Sequence, residues 1–534
     1  MAPTPVLPNE ILQLLFRHFC SHCRNEHISI LQSSTQQIHQ GKPLEKASRE
    51  SDHHTLWSLC LVSKQFRDLA QPLLYHQFIV GYGIEGRMYD SERQRLLAFT
   101  QTVMRRRDLA RKIDRVFIHR GLVDSLCDVE RLLATLRRAA VVSNPCLFSS
   151  PEMISSKWAR ERDYAMFKRT FTPVPDGQPF WAAGTIEHEQ YLAMEVVAAL
   201  VALLPKLAHL VIQNRSSWPN VKGSYPISPQ VFDIRNPSVK TLETGLPMKN
   251  MMGIIDAAVN LETLHLDAID ETYDFEFEQT IGKECPAMPK LRHIRFTRSK
   301  IQLHYMRTIV GKCTGSLETF FYEVWREPRR FESCIQEIFI ARSSRTHYES
   351  NISERTVPPT TPVRLSHVFQ ILSAHKGTLK RLHLDYRGAS QRHTCELPTW
   401  SLRDFSALTN IFYGAYEIYP ILDALRKNQP QNSALPISLK SLALAGVGAY
   451  IPAIDYSVFP ADRQTEPEGA PERFALFSLA EARANWPAQF ANLEQVDYSF
   501  EKELLGAHDL ADLTRVFTSS GVRFSHKHID SPTT

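Results

Sequence analysis

Cys20-x-x-Cys23, with His18, His22 and His27 around it, is the first group in this chain whose residue types could do chemistry. Thiolate and imidazole are the donors zinc prefers, and a C-x-x-C pair is half of a structural zinc site. The second half would have to be His53 and His54, adjacent residues with poor geometry for one ion. The pair is therefore read as a helix end entering a loop, and no metal and no other cofactor is expected. Gly81-Tyr82-Gly83-Ile84-Glu85-Gly86 matches G-x-G-x-x-G. A dinucleotide site needs a helix to start within the glycines, so that its N–H groups face the pyrophosphate. Here Arg87-Met88-Tyr89-Asp90 intervenes and the next helix is expected from Ser91, so the motif reads as a turn. Arg105-Arg106-Arg107, with Arg111, Lys112 and Arg115, reads as a solvated helix face in preference to a phosphate or acidic-peptide site. Gly-x-Ser-x-Gly, His-Glu-x-x-His and phosphate-loop patterns do not occur. No catalytic residues are predicted, and the chain is expected not to be an enzyme.

Composition narrows the partners. A net charge of +5 over 534 residues is close to neutral, so nucleic acid is not an expected partner. No apolar run approaches the ~20 residues that span a bilayer, and the longest, Val196 to Leu204, stops at Pro205. No membrane partner and no secretory signal are expected. Nine cysteines, sparse and odd in number, fit reduced thiols, hence cytoplasm or nucleus. With 43% hydrophobic and 22% charged residues, the chain can bury more than one core.

The first eighty residues are expected to be helical. Pro8 suits a first turn, and Ile11, Leu12, Leu15, Phe16 and Phe19 fall on one helix face. Residues 21–54 are polar with little apolar periodicity and read as an inserted, mobile loop. Leu56, Leu59, Cys60, Ser63, Phe66, Leu69 and Ala70 then mark a second helix, with Trp57, Leu61 and Val62 as a further apolar edge. A helix apolar on more than one side needs two partners, one of which could be another protein. Gln71-Pro72 is expected to end it, and Leu73 to Val80 reads as a strand.

Leu7-Pro8-Asn9-Glu10-Ile11-Leu12, followed by Ser58-Leu59-Cys60-Leu61-Val62-Ser63-Lys64-Gln65-Phe66-Arg67-Asp68-Leu69-Ala70, resembles an F-box. Gln71-Pro72-Leu73-Leu74-Tyr75-His76 is similar to the stretch that follows it in filamentous-fungal members. The inserted loop departs from the family, whose motif is uninterrupted. The resemblance implies a small helical module that docks on a Skp-type adaptor, and through it on a cullin and a RING ubiquitin ligase. The contact positions it implies are Leu7, Pro8, Ile11, Leu12, Leu59, Val62, Ser63 and Phe66. Leu15, Cys60 and Leu69 are expected to pack internally.

A second pattern, Leu-x-x-apolar-x-apolar, recurs with leading leucines at 207, 261, 291, 317, 379, 439 and 493. From Leu261 the spacings are 30, 26, 62, 60 and 54 residues. The three long gaps are read as two units each, with Leu408 as one missing copy. A short strand plus a helix cannot bury both apolar faces alone, and stacking copies would. The expected architecture is α/β: an F-box (1–80, with inserted loop 21–54), a linker and helical cap with an insertion (81–190), and an irregular leucine-rich-repeat solenoid (191–534). Long insertions are expected at 143–190, 343–362 and 453–471. The function expected from the resemblance is substrate recognition for a Skp–cullin–F-box ligase, the repeats holding a protein target. The alternative is a repeat-based interaction scaffold with no ligase role.

Overall fold

A computed structural model describes residues 7–20, 22–24, 44–79, 89–118, 201–212 except 202, 237–245, 254–267, 285–299, 301–324, 363–386, 402–414, 435–445, 470–500 and 505–528. The glycine motif at 81–86 and the insertions predicted at 143–190 and 343–362 lie outside them. The chain forms two compact units, the first running to Asp267 and including the stretch up to Leu291, the second beginning in earnest at Arg292. Both contain helices and parallel strands, so the class is mixed α/β.

The first unit opens with three helices: α1 (Asn9–Arg17), α2 (Leu44–Val62) and α3 (Lys64–Leu74). The Pro8 carbonyl accepts from the N–H groups of Ile11 and Leu12, both at 3.1 Å, starting α1. Glu10 in the first turn and Arg17 in the last match the helix dipole. The sequence reading of one helix through Ser63 is corrected here. Ser63 is extended (φ −158°, ψ 166°), and its hydroxyl caps α3 by accepting from Phe66 N–H at 3.1 Å. The loop predicted at 21–54 is corrected too, because residues 44–54 are helical. That segment is rich in Glu, Lys, Ala and Arg, which favour helix without any apolar periodicity. Nor does Pro72 end the helix: it sits inside α3, which closes two residues later at Leu74. The strand expected at 73–80 is reduced to β1 (Gln77–Ile79).

Leu12, Phe16, Cys20, Leu56, Cys60, Ala70 and Leu73 form the core of this module. Phe16 and Phe66 meet edge to face, ring centres 5.3 Å apart. Gln65 Nε2 donates to Asn9 Oδ1 at 2.7 Å, and Arg67 Nε to the Cys60 carbonyl at 3.2 Å, which tie α3 to both other helices.

After β1, helices α4 (Tyr89–Arg105) and α5 (Arg107–Ala110) lead to β2 (Arg115–Ile118). Then come β3 (His209–Ile212), β4 (Thr241–Thr244) and β5 (Thr263–Asp267). Each strand of the unit pairs in parallel with the next. The ladder therefore starts at residue 77, inside the segments assigned to the F-box and linker, and the division between units falls within the predicted repeat domain.

The second unit holds β6 (His293–Ser299), α6 (Leu303–Lys312), β7 (Thr319–Val324), α7 (Leu365–Leu372), β8 (Arg381–Asp385), β9 (Asn410–Gly414), β10 (Ser441–Ala445), α8 (Ala470–Asn485), β11 (Gln495–Phe500), α9 (Ala507–Ser519) and β12 (Arg523–His528). Its strands also pair in parallel, in chain order. β9 occupies the copy inferred at Leu408. The other two long gaps hold no missing copy, because β7 pairs directly with β8, and β10 with β11. The extra residues are insertions between neighbouring strands.

The recurring pattern has a physical basis. The leading position (Leu207, Val239, Leu261, Leu291, Leu317, Leu379, Leu408, Leu439, Leu493) is at most 2% exposed throughout. The position three on (Leu210, Leu242, Leu264, Ile294, Phe320, Leu382, Ile411, Leu442, Val496) is equally buried. Alternation along the strand puts the position five on into the same core. At the bend before most strands, one carbonyl accepts two N–H groups from the next copy. Asp114 O accepts from Ala208 and His209, Glu318 O from Lys380 and Arg381, and Lys440 O from Glu494 and Gln495. Side chains reinforce this register: Asn260 Nδ2 donates to the Pro237 carbonyl at 2.7 Å, Thr378 Oγ1 to the Leu317 carbonyl at 3.0 Å and Asn492 Nδ2 to the Ile437 carbonyl at 3.0 Å.

Candidate docking face and a cysteine–histidine cluster

Nine large apolar side chains are exposed among the described residues, and seven of them lie in the first 62 positions: Leu7, Ile11, Leu14, Leu15, Trp57, Leu61 and Val62. Ile11 and Leu15 are one turn apart on α1, with Leu14 beside Leu15 and Leu7 just before the helix, while Leu12 and Phe16 face inward. Trp57 and Leu61 are likewise one turn apart on α2, with Val62 next to them.

The predicted contact set divides in two. Leu7, Pro8, Ile11, Val62 and Ser63 are exposed. Leu12 is buried in the module's core, and Leu59 and Phe66 are half-buried against it. Cys60 and Leu69 pack internally as expected. Leu15 does not: it is 48% exposed, because Leu12 and Phe16 occupy the inward face of α1. Leu14, Trp57 and Leu61 were not among the predicted contacts, although the second apolar edge at 57–62 was visible in the sequence.

The C-x-x-C pair has different company from that expected. Cys20 and Cys23, in the turn after α1, lie beside His22 and beside His76, which immediately precedes β1. Cys23 Sγ is 3.4 Å from His76 Nδ1 and 3.9 Å from His22 Nδ1, and Cys20 Sγ is 3.8 Å from His76 Nδ1. His22 Nε2 is 3.2 Å from Asp114 Oδ2. Burial pushes the Cys20 thiol up, but hydrogen bonds to His22 and His76 outweigh it and bring it down to about 5. Burial and the neighbouring Cys20 push Cys23 up to about 11. The Asp114 carboxylate raises His22 to about 9. His53 and His54 are not part of this group.

Elsewhere in the first unit, Glu243 sits between His209 (Nε2 to Oε1, 2.7 Å) and His265 (Nδ1 to Oε2, 3.4 Å). In the second unit, Phe321, His383 and Phe412 occupy matched positions on neighbouring strands and stack face to face, ring centres 3.7 and 3.9 Å apart. The Arg295 guanidinium lies over Phe321 at 5.4 Å. The basic cluster is partly neutralised, Arg106 by Asp108 at 2.6 Å and Arg115 by Asp114 at 3.5 Å. Among the described residues, no helix is long and apolar enough to cross a membrane. No protein-family model matches the chain, and no curated protein matches it.

Proposed function

We propose that the chain is the substrate-recognition subunit of a Skp–cullin–F-box ubiquitin ligase, working in cytoplasm or nucleus. The observation that supports this reading is the concentration of exposed apolar side chains on α1 and α2. Leaving Leu7, Ile11, Leu14, Leu15, Trp57, Leu61 and Val62 in water is unfavourable by about 25 cal/mol per Å² of apolar surface, which a docking partner would recover. Four of the seven, Leu7, Ile11, Leu61 and Val62, lie within the residues that resemble an F-box, so the partner is a Skp-type adaptor, with a cullin beyond it.

The chain itself performs no covalent step in this reading. It holds a protein target near the charged ubiquitin carrier, raising the effective concentration of the reacting groups. The repeats form a leucine-rich-repeat solenoid, and the target docks on its strands. The half-buried stack of Arg295, Phe321, His383 and Phe412 supplies large, rigid contact area of the kind that dominates interface energetics.

The test is a pull-down of the full chain with purified Skp-type adaptor, beside the folded double variant Ile11→Asp/Val62→Asp. Binding is expected for the native chain and weaker by at least about tenfold in the variant, or about 1.4 kcal/mol. No binding by a well-folded native chain overturns the ligase reading. Adaptor binding without cullin in the recovered complex would leave a scaffold with no ligase role.

A further inference from the structure

We propose that Cys20, His22, Cys23 and His76 bind one zinc ion, a structural centre that ties the end of α1 to the start of the strand ladder. The proposal does not depend on the adaptor reading.

Four donors from two separate stretches of chain converge, with every ligand atom within 4.8 Å of every other. Zinc bonds of about 2.3 Å to sulfur and 2.0 Å to nitrogen imply tetrahedral S···N edges of about 3.5 Å. Three of the sulfur–nitrogen distances, 3.4, 3.8 and 3.9 Å, bracket that edge. A set of two thiolates and two imidazoles is closed and charge-neutral around a divalent ion, which suits a structural rather than a catalytic centre.

The surroundings point the same way. His22 directs Nδ1 toward the thiols and Nε2 toward Asp114, 3.2 Å away. A carboxylate on the far nitrogen of a histidine orients the ring and raises its basicity as a ligand. Cys20 is 2% exposed, so the ion would be shielded from solvent on that side. The backbone supplies the juxtaposition: His76 and Asp114 hold the same position, one residue before β1 and before β2. The His76 carbonyl accepts from the N–H groups of Asp114 and Arg115 at 2.9 and 3.3 Å. The first bend of the ladder thus presents one ligand and its neighbour presents the orienting carboxylate. Among the described residues, no other three or more such side chains bring all their ligand atoms this close together.

The experiment uses the full chain purified under reducing conditions without chelator. Elemental analysis is expected to find about one zinc per chain. Cobalt exchanged into the site should show thiolate-to-metal charge transfer and the intense visible bands of a tetrahedral ion. Cys23→Ser should lose the metal. His76→Cys keeps four donors and should retain about one zinc while shifting the cobalt spectrum toward three thiolates. His53→Ala/His54→Ala should change neither. A folded native chain that retains less than about a tenth of an equivalent after incubation with zinc and desalting overturns the proposal. So does undiminished zinc in Cys20→Ser/Cys23→Ser, or a Cys20–Cys23 disulfide in the freshly purified native protein.

Discussion

Glu243 shows how a single residue can bind part of the fold to pH. It is 5% exposed, and burial alone would raise its carboxyl. The hydrogen bond from His209 and the nearby His265 ring, 3.4 Å from Oε2, outweigh burial and hold it at about 2, well below the ordinary 4.5. The folded state therefore binds fewer protons than the unfolded state in acid. The contribution is full above about pH 4.5 and is lost as pH falls toward about 2. Its size is on the order of 3 kcal/mol. Denaturant titrations should show a steep loss of stability across that window in the native chain. Glu243→Gln should flatten the slope, and an unchanged slope would show that this carboxylate is not the group responsible. Glu243 was not singled out from the sequence, because Thr241-Leu242-Glu243-Thr244 carries no sign that histidines from both neighbouring strands close on it.

At the scale of elements, the break between α2 and α3 rests on one side chain. Ser63→Ala removes the oxygen that accepts from Phe66 N–H, and should cost about 1 kcal/mol in thermal or chemical unfolding. The variant also sits beside exposed Val62, so adaptor affinity should be measured at a temperature where it stays folded. The strand columns are more demanding. Leu382, 2% exposed in β8 between β7 and β9, should cost about 3 kcal/mol when truncated to Ala, because its neighbours belong to three strands and cannot all collapse into the void. Gly521 closes α9 into β12 with φ +76°, where an added Cβ meets nothing within 4 Å. Gly521→Ala should therefore cost only the backbone strain, about 1 kcal/mol. A much larger loss in either of the last two variants would mean that the element melts with its neighbours.

The whole molecule sets where the chain can be cut. A boundary after residue 80 follows the sequence resemblance, but β1 belongs to the ladder and pairs with β2. Deleting residues 1–80 removes that strand, the His76 bend and the cover on the β2 edge. The truncated chain is expected to aggregate more readily than the full chain, measured by light scattering at equal concentration. Equal solubility would show that β2 needs no partner on that side. Point variants on α1 and α2 are thus better probes of docking than the deletion.

Much of the fold was legible because its signal is local and repeated. Leu-x-x-apolar-x-apolar marks a bend followed by a strand at each copy, since burial on one strand face must recur every second residue. Eight strands begin two residues after a leucine picked out in the sequence. The copies led by Ile113 and Val239 depart from the leucine spelling and were missed. Helix boundaries at Ser63 and Leu44 were misread because apolar periodicity reports burial, not backbone conformation. What the tertiary structure alone decided is which distant groups meet. His76 is 53 residues from Cys23, and only the chain's return through α3 to the first bend brings it there. Likewise, the choice between Leu12 inside and Leu15 outside depends on where α3 packs, which no single helix can specify.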